Sequence, residues 1–152
     1  MSKVIYMDNA ATTAISAEAL NAMLPCFGQV FGNASSIHST GRDARKKLEE
    51  ARRTVASLLG AKPNEIYFTS GGSESDNQAI ISAAKFGEKK GKKHIISTAF
   101  EHHAVLHTLN RLEKEGFEIT LLDVAQGHNV TAQQVKAAIR EDTCLVTVMY
   151  AN

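Results

Sequence analysis

Apolar residues recur along much of the chain every three to four positions, and this period predicts amphipathic helices. The longest such segment extends from about Thr40 to Leu59, and Gly60 is expected to end it. Its predicted buried stripe consists of Ala44, Leu48, Ala51, Val55, Leu58 and Leu59. The same period predicts four further helices, which begin near Ser16, Ser73, Glu101 and Thr131. The chain is therefore expected to be rich in helices with one buried side.

Short apolar runs separate these helices and predict strands. They cover residues 4–7, as a strand or an extended arm, and residues 66–69, 94–98, 118–122 and 144–149. The last run is almost continuously apolar, which is typical of a parallel strand covered on both faces. Strands alternate with helices after a mostly helical beginning. The pattern predicts an α/β fold with a mostly parallel sheet and flanking helices.

Composition narrows the class of protein further. The 152 residues suit one domain, with a predicted arm over residues 1–15 and a domain over residues 16–152. The formal net charge is +1, and the densest basic cluster, residues 89–93, is expected to be a solvated loop. We therefore expect no nucleic-acid partner. No apolar run has the length of a membrane span, no export signal is recognised, and there are two cysteines, so a cytoplasmic protein is expected.

The sequence of residues 66–77 predicts a strand, then a glycine turn and then the start of a helix. Gly71 and Gly72 let the backbone turn tightly and let a ligand come close. The first turn of the following helix offers backbone N–H groups and the positive end of the helix dipole, which suits a phosphate, with the Ser73 and Ser75 hydroxyls as further donors. The alternative is a plain capping box, Ser73-x-x-Asp76, with no ligand.

Three polar groups follow predicted strand ends, at residues 70–75, 101–103 and 150–152. Because ligands bind beyond the carboxyl ends of parallel strands, their convergence predicts a functional site. His102 could be an ordinary residue at a helix N-terminus. A neutral imidazole that stacks on a ligand or transfers protons is the functional alternative, since a cation is disfavoured there.

Other site types have weaker signals in the sequence. His103 and His107 could share a helix face around a zinc ion, but no HExxH pattern or cysteine partner accompanies them. His94 and His128 are expected at the surface. A dinucleotide-binding turn would need Gly-x-Gly-x-x-Gly, and a P-loop would need its lysine; neither pattern is present.

Several motifs together resemble one family. They are Tyr6-Met-Asp-Asn-Ala-Ala-Thr-Thr13, Phe31-Gly-Asn-Ala-Ser-Ser-Ile-His38, Phe68-Thr-Ser-Gly-Gly-Ser-Glu-Ser-Asp-Asn77, Glu101-His102 and Val148-Met-Tyr-Ala-Asn152. In order and spacing, they resemble the cysteine desulfurases of the class V aminotransferase group, which use pyridoxal 5'-phosphate (PLP). The resemblance covers the whole chain but only the N-terminal part of that enzyme, less than half of it.

The resemblance implies a fold and a set of roles. It implies part of the large domain of a fold type I PLP-dependent transferase. Gly72 and Ser73 match the positions that hold the PLP phosphate, and His102 matches the histidine that stacks on the pyridine ring and transfers protons. The loop with Asn33 and His38 resembles one near the substrate entrance. The implied substrate is L-cysteine, and the implied partners are a second copy in a homodimer and an iron–sulfur scaffold or another sulfur acceptor.

The departures from the family also matter. The family's cofactor-binding lysine lies in a Ser-x-His-Lys setting that is absent here, and neither Cys26 nor Cys144 matches the cysteine that receives the persulfide. We therefore expect a chain truncated after Asn152 that is inactive alone. The alternatives are a selenocysteine lyase or another class V relative, and a non-catalytic fragment that acts as an interaction module.

Overall fold

The computed structural model describes residues 5–124 and 129–151 and divides the chain into two compact units, Met1–Tyr67 and Phe68–Asn152. The predicted turn over residues 126–129 lies mostly outside the described residues, as do His128 and Asn152. The predicted arm over residues 1–15 and domain over residues 16–152 stay a prediction.

From residue 5 onward, the first unit contains two helices and two short 3-10 turns. Helix α1 is Ala17–Met23, helix α2 is Ser39–Leu59, and the turns are Leu24–Phe27 and Pro63–Glu65. As predicted, Ser16 caps α1 by accepting a hydrogen bond from the Ala19 N–H, at 3.2 Å. The prediction that Gly60 ends α2 is also confirmed, since its φ of 65° is a left-handed conformation that glycine adopts without strain.

The predicted buried stripe of α2 is largely wrong. Leu48, Leu58 and Leu59 are exposed, and the buried residues of α2 are Gly41 and Ala56. Within this unit α2 packs on the turn Pro63–Glu65, which is far too short to cover a helix of 21 residues. A hydrophobic period shows which face of a helix needs cover, but the cover must come from another element.

The second unit is a parallel sheet with helices, as predicted. Its elements are α3, Gly72–Glu88; β1, His94–Thr98; α4, His103–Lys114; β2, Glu118–Leu122; α5, Ala132–Ala138; and β3, Thr143–Val146. The strand order is β2-β1-β3, and β1 pairs in parallel with both neighbours. Helices α3 and α4 bury Ile80, Ala84, Val105, Leu109 and Leu112 in one core cluster with Ile95 of β1.

Two predicted strands differ from the structure. Residues 66–69 pair with no strand in the described part of the chain, although Ile66 has extended dihedral angles. A strand needs hydrogen bonds from a neighbour, and a sequence pattern does not supply them. Strand β3 ends at Val146 rather than at 149: the Thr147 N–H still donates to Ile96 O of β1, but the Met149 N–H donates to the Glu101 carboxylate.

The prediction that His94 lies at the surface is also wrong. Its side chain is fully buried at the amino end of β1, with Nδ1 2.7 Å from the Thr143 hydroxyl and Nε2 2.8 Å from the Thr120 hydroxyl. The threonines on the two neighbouring strands satisfy both ring nitrogens, so the imidazole can be buried without an unpaired polar atom. His94 is thus part of the sheet's internal packing.

Candidate functional site

The N-termini of α3 and α4 both lie at the carboxyl edge of the sheet. Helix α4 begins just after β1 ends. Helix α3 precedes β1 in the chain and ends near the start of that strand, so the beginning of α3 lies near the end of β1. The two helices pack against each other on one face of β1. The glycine turn before α3 and the Glu101-His102 pair before α4 are therefore brought to one place.

The first turn of α3 leaves backbone donors unused. Gly71 is the N-cap residue, it makes no side-chain cap, and the first amide bonded within the helix is that of Ser75, which donates to Gly71 O at 3.2 Å. Among the described residues, the N–H groups of Gly72, Ser73 and Glu74 make no hydrogen bond. The alternative capping box between Ser73 and Asp76 does not form, because the side chain of Ser73 caps nothing.

Polar side chains around this turn are mostly engaged already. The Ser70 N–H and hydroxyl both donate to the Glu74 carboxylate at 2.6 Å, and the Ser75 hydroxyl lies 2.6 Å from that of Thr69. The two bonds from Ser70, its hydroxyl first, lower the pKa of Glu74 below its ordinary value, so this carboxylate is ionised at neutral pH. The turn thus combines three unbonded amides and the Ser73 hydroxyl with one nearby negative charge.

His102 is the N-cap residue of α4. Its Nδ1 accepts a hydrogen bond from the Ala104 N–H at 3.1 Å, and its side chain is exposed. A nitrogen that accepts a hydrogen bond carries no proton, so in the neutral ring the proton lies on Nε2. The imidazole is fixed at one nitrogen by the backbone and presents the other to its surroundings.

The neighbouring histidines form no larger cluster. The ring centroids of His103 and His107 lie 5.5 Å apart, and those of His102 and His103 lie 6.2 Å apart. Within residues 5–124 and 129–151, no group of three or more histidine, cysteine or acidic side chains is arranged to hold a metal ion. Metal ions usually need at least three protein ligands for a stable site, so the zinc alternative gains no support from the geometry.

Glu101 joins the ends of two strands. Its carboxylate is buried and accepts hydrogen bonds from the Met149 N–H at 2.6 Å and from the Thr98 hydroxyl at 3.1 Å. The backbone after β3 is thereby held next to the start of α4. In the sequence, Glu101 stands out only as part of a motif; the signal for its own role is a carboxylate directly after a predicted buried strand.

Asn77 joins the two helices and was likewise treated only as part of a motif. Its Nδ2 donates to Ser73 O at 2.6 Å and to Ala104 O at 3.4 Å, and its Oδ1 accepts from the Thr108 hydroxyl at 2.5 Å. Ser73 and Ala104 belong to the first turns of α3 and α4. The unbonded amides and the His102 ring are therefore connected through one side chain.

Asn33 and His38 lie in the first unit, in the loop before α2, and have local partners. Asn33 Oδ1 accepts from the Ser35 N–H at 2.9 Å, and His38 caps α2 by accepting from the Gly41 N–H at 3.4 Å. A Cβ at Gly41 would lie 2.5 Å from Ser36 O, so the loop folds tightly onto the start of α2. These contacts explain the polar loop as a capping structure, and its place near a substrate entrance stays a prediction.

An open cleft of 640 Å³ lies at the carboxyl edge of the sheet. Residues that follow each of the three strands line it, and most of them are apolar: Phe100, Val124, Asn129, Val130, Val148, Met149, Tyr150 and Ala151. A small molecule at this edge would meet apolar side chains and polar atoms in comparable measure. The Met149 N–H bonds to Glu101, so the backbone after β3 reaches the start of α4, but residues 70–75 and 101–103 are not among those that line the cleft. The predicted convergence of all three polar groups in one site stays a prediction.

These features agree with what comparison with known proteins shows. Residues 5–152 match the family model for aminotransferase class V, so the chain belongs to that family. A relative from Methanosarcina thermophila, cysteine desulfurase IscS, is 49% identical over 150 residues, which are 99% of this chain and 37% of the relative.

Solved structures give the same picture. A NifS-like protein has a TM-score of 0.91 and 38% identity, covering 97% of this chain and 40% of its own. SspA, solved in complex with cysteine, has a TM-score of 0.88 and 39% identity, with 97% of this chain and 42% of its own covered. The chain therefore spans 37% to 42% of the length of these relatives. No helix in the part of the chain that the structure describes has both the length and the apolar character needed to cross a membrane.

Proposed function

We propose that this chain is the N-terminal part of a PLP-dependent cysteine desulfurase and that it binds PLP at the carboxyl edge of its sheet. Three observations support the proposal: the class V family match, the 49% identity to a cysteine desulfurase, and a cysteine-bound structural neighbour. The main supporting observation is that the Asn77 side chain links the first turn of α3, with its unbonded amides, to the first turn of α4, where His102 is bonded.

The first turn of α3 binds the phosphate in this proposal. Gly72, Ser73 and Glu74 contribute N–H donors, and the Ser73 hydroxyl contributes another. A Cβ built on Gly71 or Gly72 would meet no atom within 4 Å, so the approach to these amides is open. The Glu74 carboxylate opposes an added anion, and the helix dipole and the donors must outweigh that repulsion.

His102 has two roles in this proposal: its imidazole stacks on the cofactor ring, and it transfers a proton. The bond from Ala104 fixes the imidazole plane, which can then stack on a flat aromatic ligand. Because Nδ1 is occupied, Nε2 is the atom at which a proton is held or given up. Bound PLP supplies the electron sink that lets bonds to the α-carbon and β-carbon of an amino acid break.

The overall reaction in this proposal is sulfur transfer. L-Cysteine and an enzyme thiol give L-alanine and an enzyme persulfide: the C–S bond breaks, the carbon gains a proton, and the sulfur is oxidised as it joins the thiol. Burial raises the pKa of the Cys144 thiol, which also donates to His94 O, so Cys144 is a poor acceptor. The homodimer, and delivery of sulfur to an iron–sulfur scaffold or another acceptor, belong to the same proposal.

A binding experiment tests the cofactor site. Pyridoxine 5'-phosphate lacks the aldehyde that reacts with surface lysines, and pyridoxine lacks the phosphate as well. We expect the chain to bind pyridoxine 5'-phosphate more tightly than pyridoxine, and Ser73→Ala to reduce that affinity several-fold by removing one hydroxyl donor to an anion. The matched control is Ser82→Ala, an exposed serine farther along α3. Equal affinity for the two ligands would refute the phosphate site.

A further inference from the structure

Asn77 uses both ends of its carboxamide between α3 and α4. Nδ2 donates to Ser73 O and Ala104 O, while Oδ1 accepts from Thr108 Oγ1. Thr108 Oγ1 also lies 2.8 Å from Ala104 O, so its single hydrogen is shared between two acceptors. The side chain is half-buried, and Thr108 is 3% exposed.

A local role alone does not explain these contacts. Asparagine in a helix often donates to the carbonyl four residues earlier, as Asn77 does to Ser73. The other two partners, however, are 27 and 31 residues away on α4. An aspartate would lose both donated bonds, and an alanine would lose all three. The position therefore requires a carboxamide to join the helices.

The two carbonyls that Asn77 holds belong to residues with a second function. Ser73 has an unbonded N–H in the proposed phosphate-binding turn, and the Ala104 N–H fixes the His102 ring. Each of these residues is thus bonded to Asn77 through its carbonyl and contributes its N–H to the site. We propose that Asn77 is the positioning residue that sets the distance between the phosphate-binding turn and the His102 ring. This inference rests on the proposed function.

The far end of the same helix pair offers a control. Lys85 of α3 forms an ion pair at 2.9 Å with Glu115, directly after α4. That contact also joins α3 to the end of α4, but it lies at the amino edge of the sheet, away from the site. If Asn77 merely stabilises the helix packing, its replacement should change ligand affinities no differently from replacement of Lys85. If Asn77 is a positioning residue, its replacement should weaken only ligands that contact both helices.

The experiment compares two probes in the purified chain by NMR titration. Inorganic phosphate needs only the α3 turn, while pyridoxine 5'-phosphate needs that turn and the His102 ring. In Asn77→Ala we expect the preference for pyridoxine 5'-phosphate over phosphate to fall by a factor of about 5 to 30, since both hydrogen bonds that join Asn77 to α4 are lost. Affinity for inorganic phosphate itself should change little. Lys85→Gln should keep the preference of the wild type.

Thr108→Val provides a second test with almost no change in shape. It removes the hydroxyl that orients Asn77, so the preference should fall in the same direction even if Asn77→Ala does not fold. An unchanged preference in both variants, or equal loss of affinity for both probes, would overturn the inference. A wild-type chain that shows no preference for pyridoxine 5'-phosphate would instead refute the proposed function, and the two failures are thus distinguished.

Discussion

Glu101 and His102 are adjacent in sequence but have opposite surroundings. Glu101 is 6% exposed and is bonded to the end of β1 and to the backbone after β3. His102 is exposed, and among the residues that the structure describes its side chain is hydrogen-bonded to its own helix alone. The buried carboxylate fixes where α4 begins, and the next residue can then present its ring outward. Glu101 thus holds the backbone in place, while His102 is the neighbour to which the proposal assigns the chemistry.

The chemical role of His102 can be separated from its capping role. In a complete desulfurase that contains this chain, His102→Ala should reduce turnover by about a hundredfold or more, since a proton carrier and a stacking ring are lost. His102→Asn should reduce turnover similarly but keep α4 stable, because asparagine is also a good N-cap.

His103→Ala is the matched control for the adjacent imidazole, because His103 lies in the first turn of α4 but does not cap it. Turnover and the free energy of unfolding are the two measurements. Full turnover in His102→Asn, together with an inactive His103→Ala, would transfer the role to His103.

At the scale of elements, helix ends were more predictable than strands. Ser16, Gly60 and Thr131 act as caps where the sequence predicted them, because a cap depends on residues close along the chain. Whether residues 66–69 form a strand, or α2 buries its apolar face, depends on elements distant in sequence. His94 was misjudged for the same reason, since the hydroxyls that make its burial possible lie on other strands.

The candidate site shows the same contrast between local features, which the sequence predicts, and contacts between distant elements, which it does not. The glycine turn and His102 follow from local signals and from the family motif. The parallel topology places the start of α4 at the carboxyl edge of the sheet, whereas the glycine turn reaches that edge because α3 packs against α4. Asn77 and Glu101 as cross-element contacts did not follow, because a sequence does not reveal which distant backbone group a side chain reaches. These contacts required the three-dimensional arrangement.

His94 predicts a pH dependence of stability. Burial, and secondly the charge of Arg140, lower its pKa below the ordinary value of 6.5, whereas Asp142 and Glu118 act in the opposite direction. The unfolded chain therefore binds more protons below about pH 6.5, and stability falls as pH decreases toward the lowered pKa of the folded state. The slope for one proton is at most about 1.4 kcal/mol per pH unit.

The measurement is the free energy of unfolding in urea between about pH 7 and pH 5, above the range where most carboxylates titrate. The wild type and His107→Gln, which replaces an exposed histidine, should lose stability as the pH falls. His94→Gln should show a flatter profile, although it is less stable at neutral pH. A slope in His94→Gln as steep as in the wild type would contradict the assignment.

For the whole molecule, the main feature is apolar surface. Phe27, Phe31, Leu58 and Leu59 are each at least 70% exposed, and the chain matches only 37% to 42% of the length of its relatives. Several large apolar side chains with this much exposure favour association with other apolar surface.

We expect the isolated 152-residue chain to self-associate and, on the resemblance described in the sequence analysis, to carry out no desulfuration. It lacks the Ser-x-His-Lys setting of the family's cofactor-binding lysine, and covalent PLP catalysis needs a positioned amine. The measurement is alanine and sulfide release from L-cysteine against a PLP-only control, with sedimentation to follow association. Stoichiometric alanine and sulfide above that control would mean that a lysine of this chain serves as the nucleophile.

The central claim is that the first turn of α3 and the His102 ring form one cofactor site. Its most direct test is an NMR titration of the isotope-labelled chain with pyridoxine 5'-phosphate, following every backbone amide and the imidazole nitrogens. The account predicts that the Gly72 and Ser73 amides and the His102 Nε2 signal shift together with one dissociation constant. Shifts confined to other residues, or different dissociation constants for the turn and the ring, would contradict it.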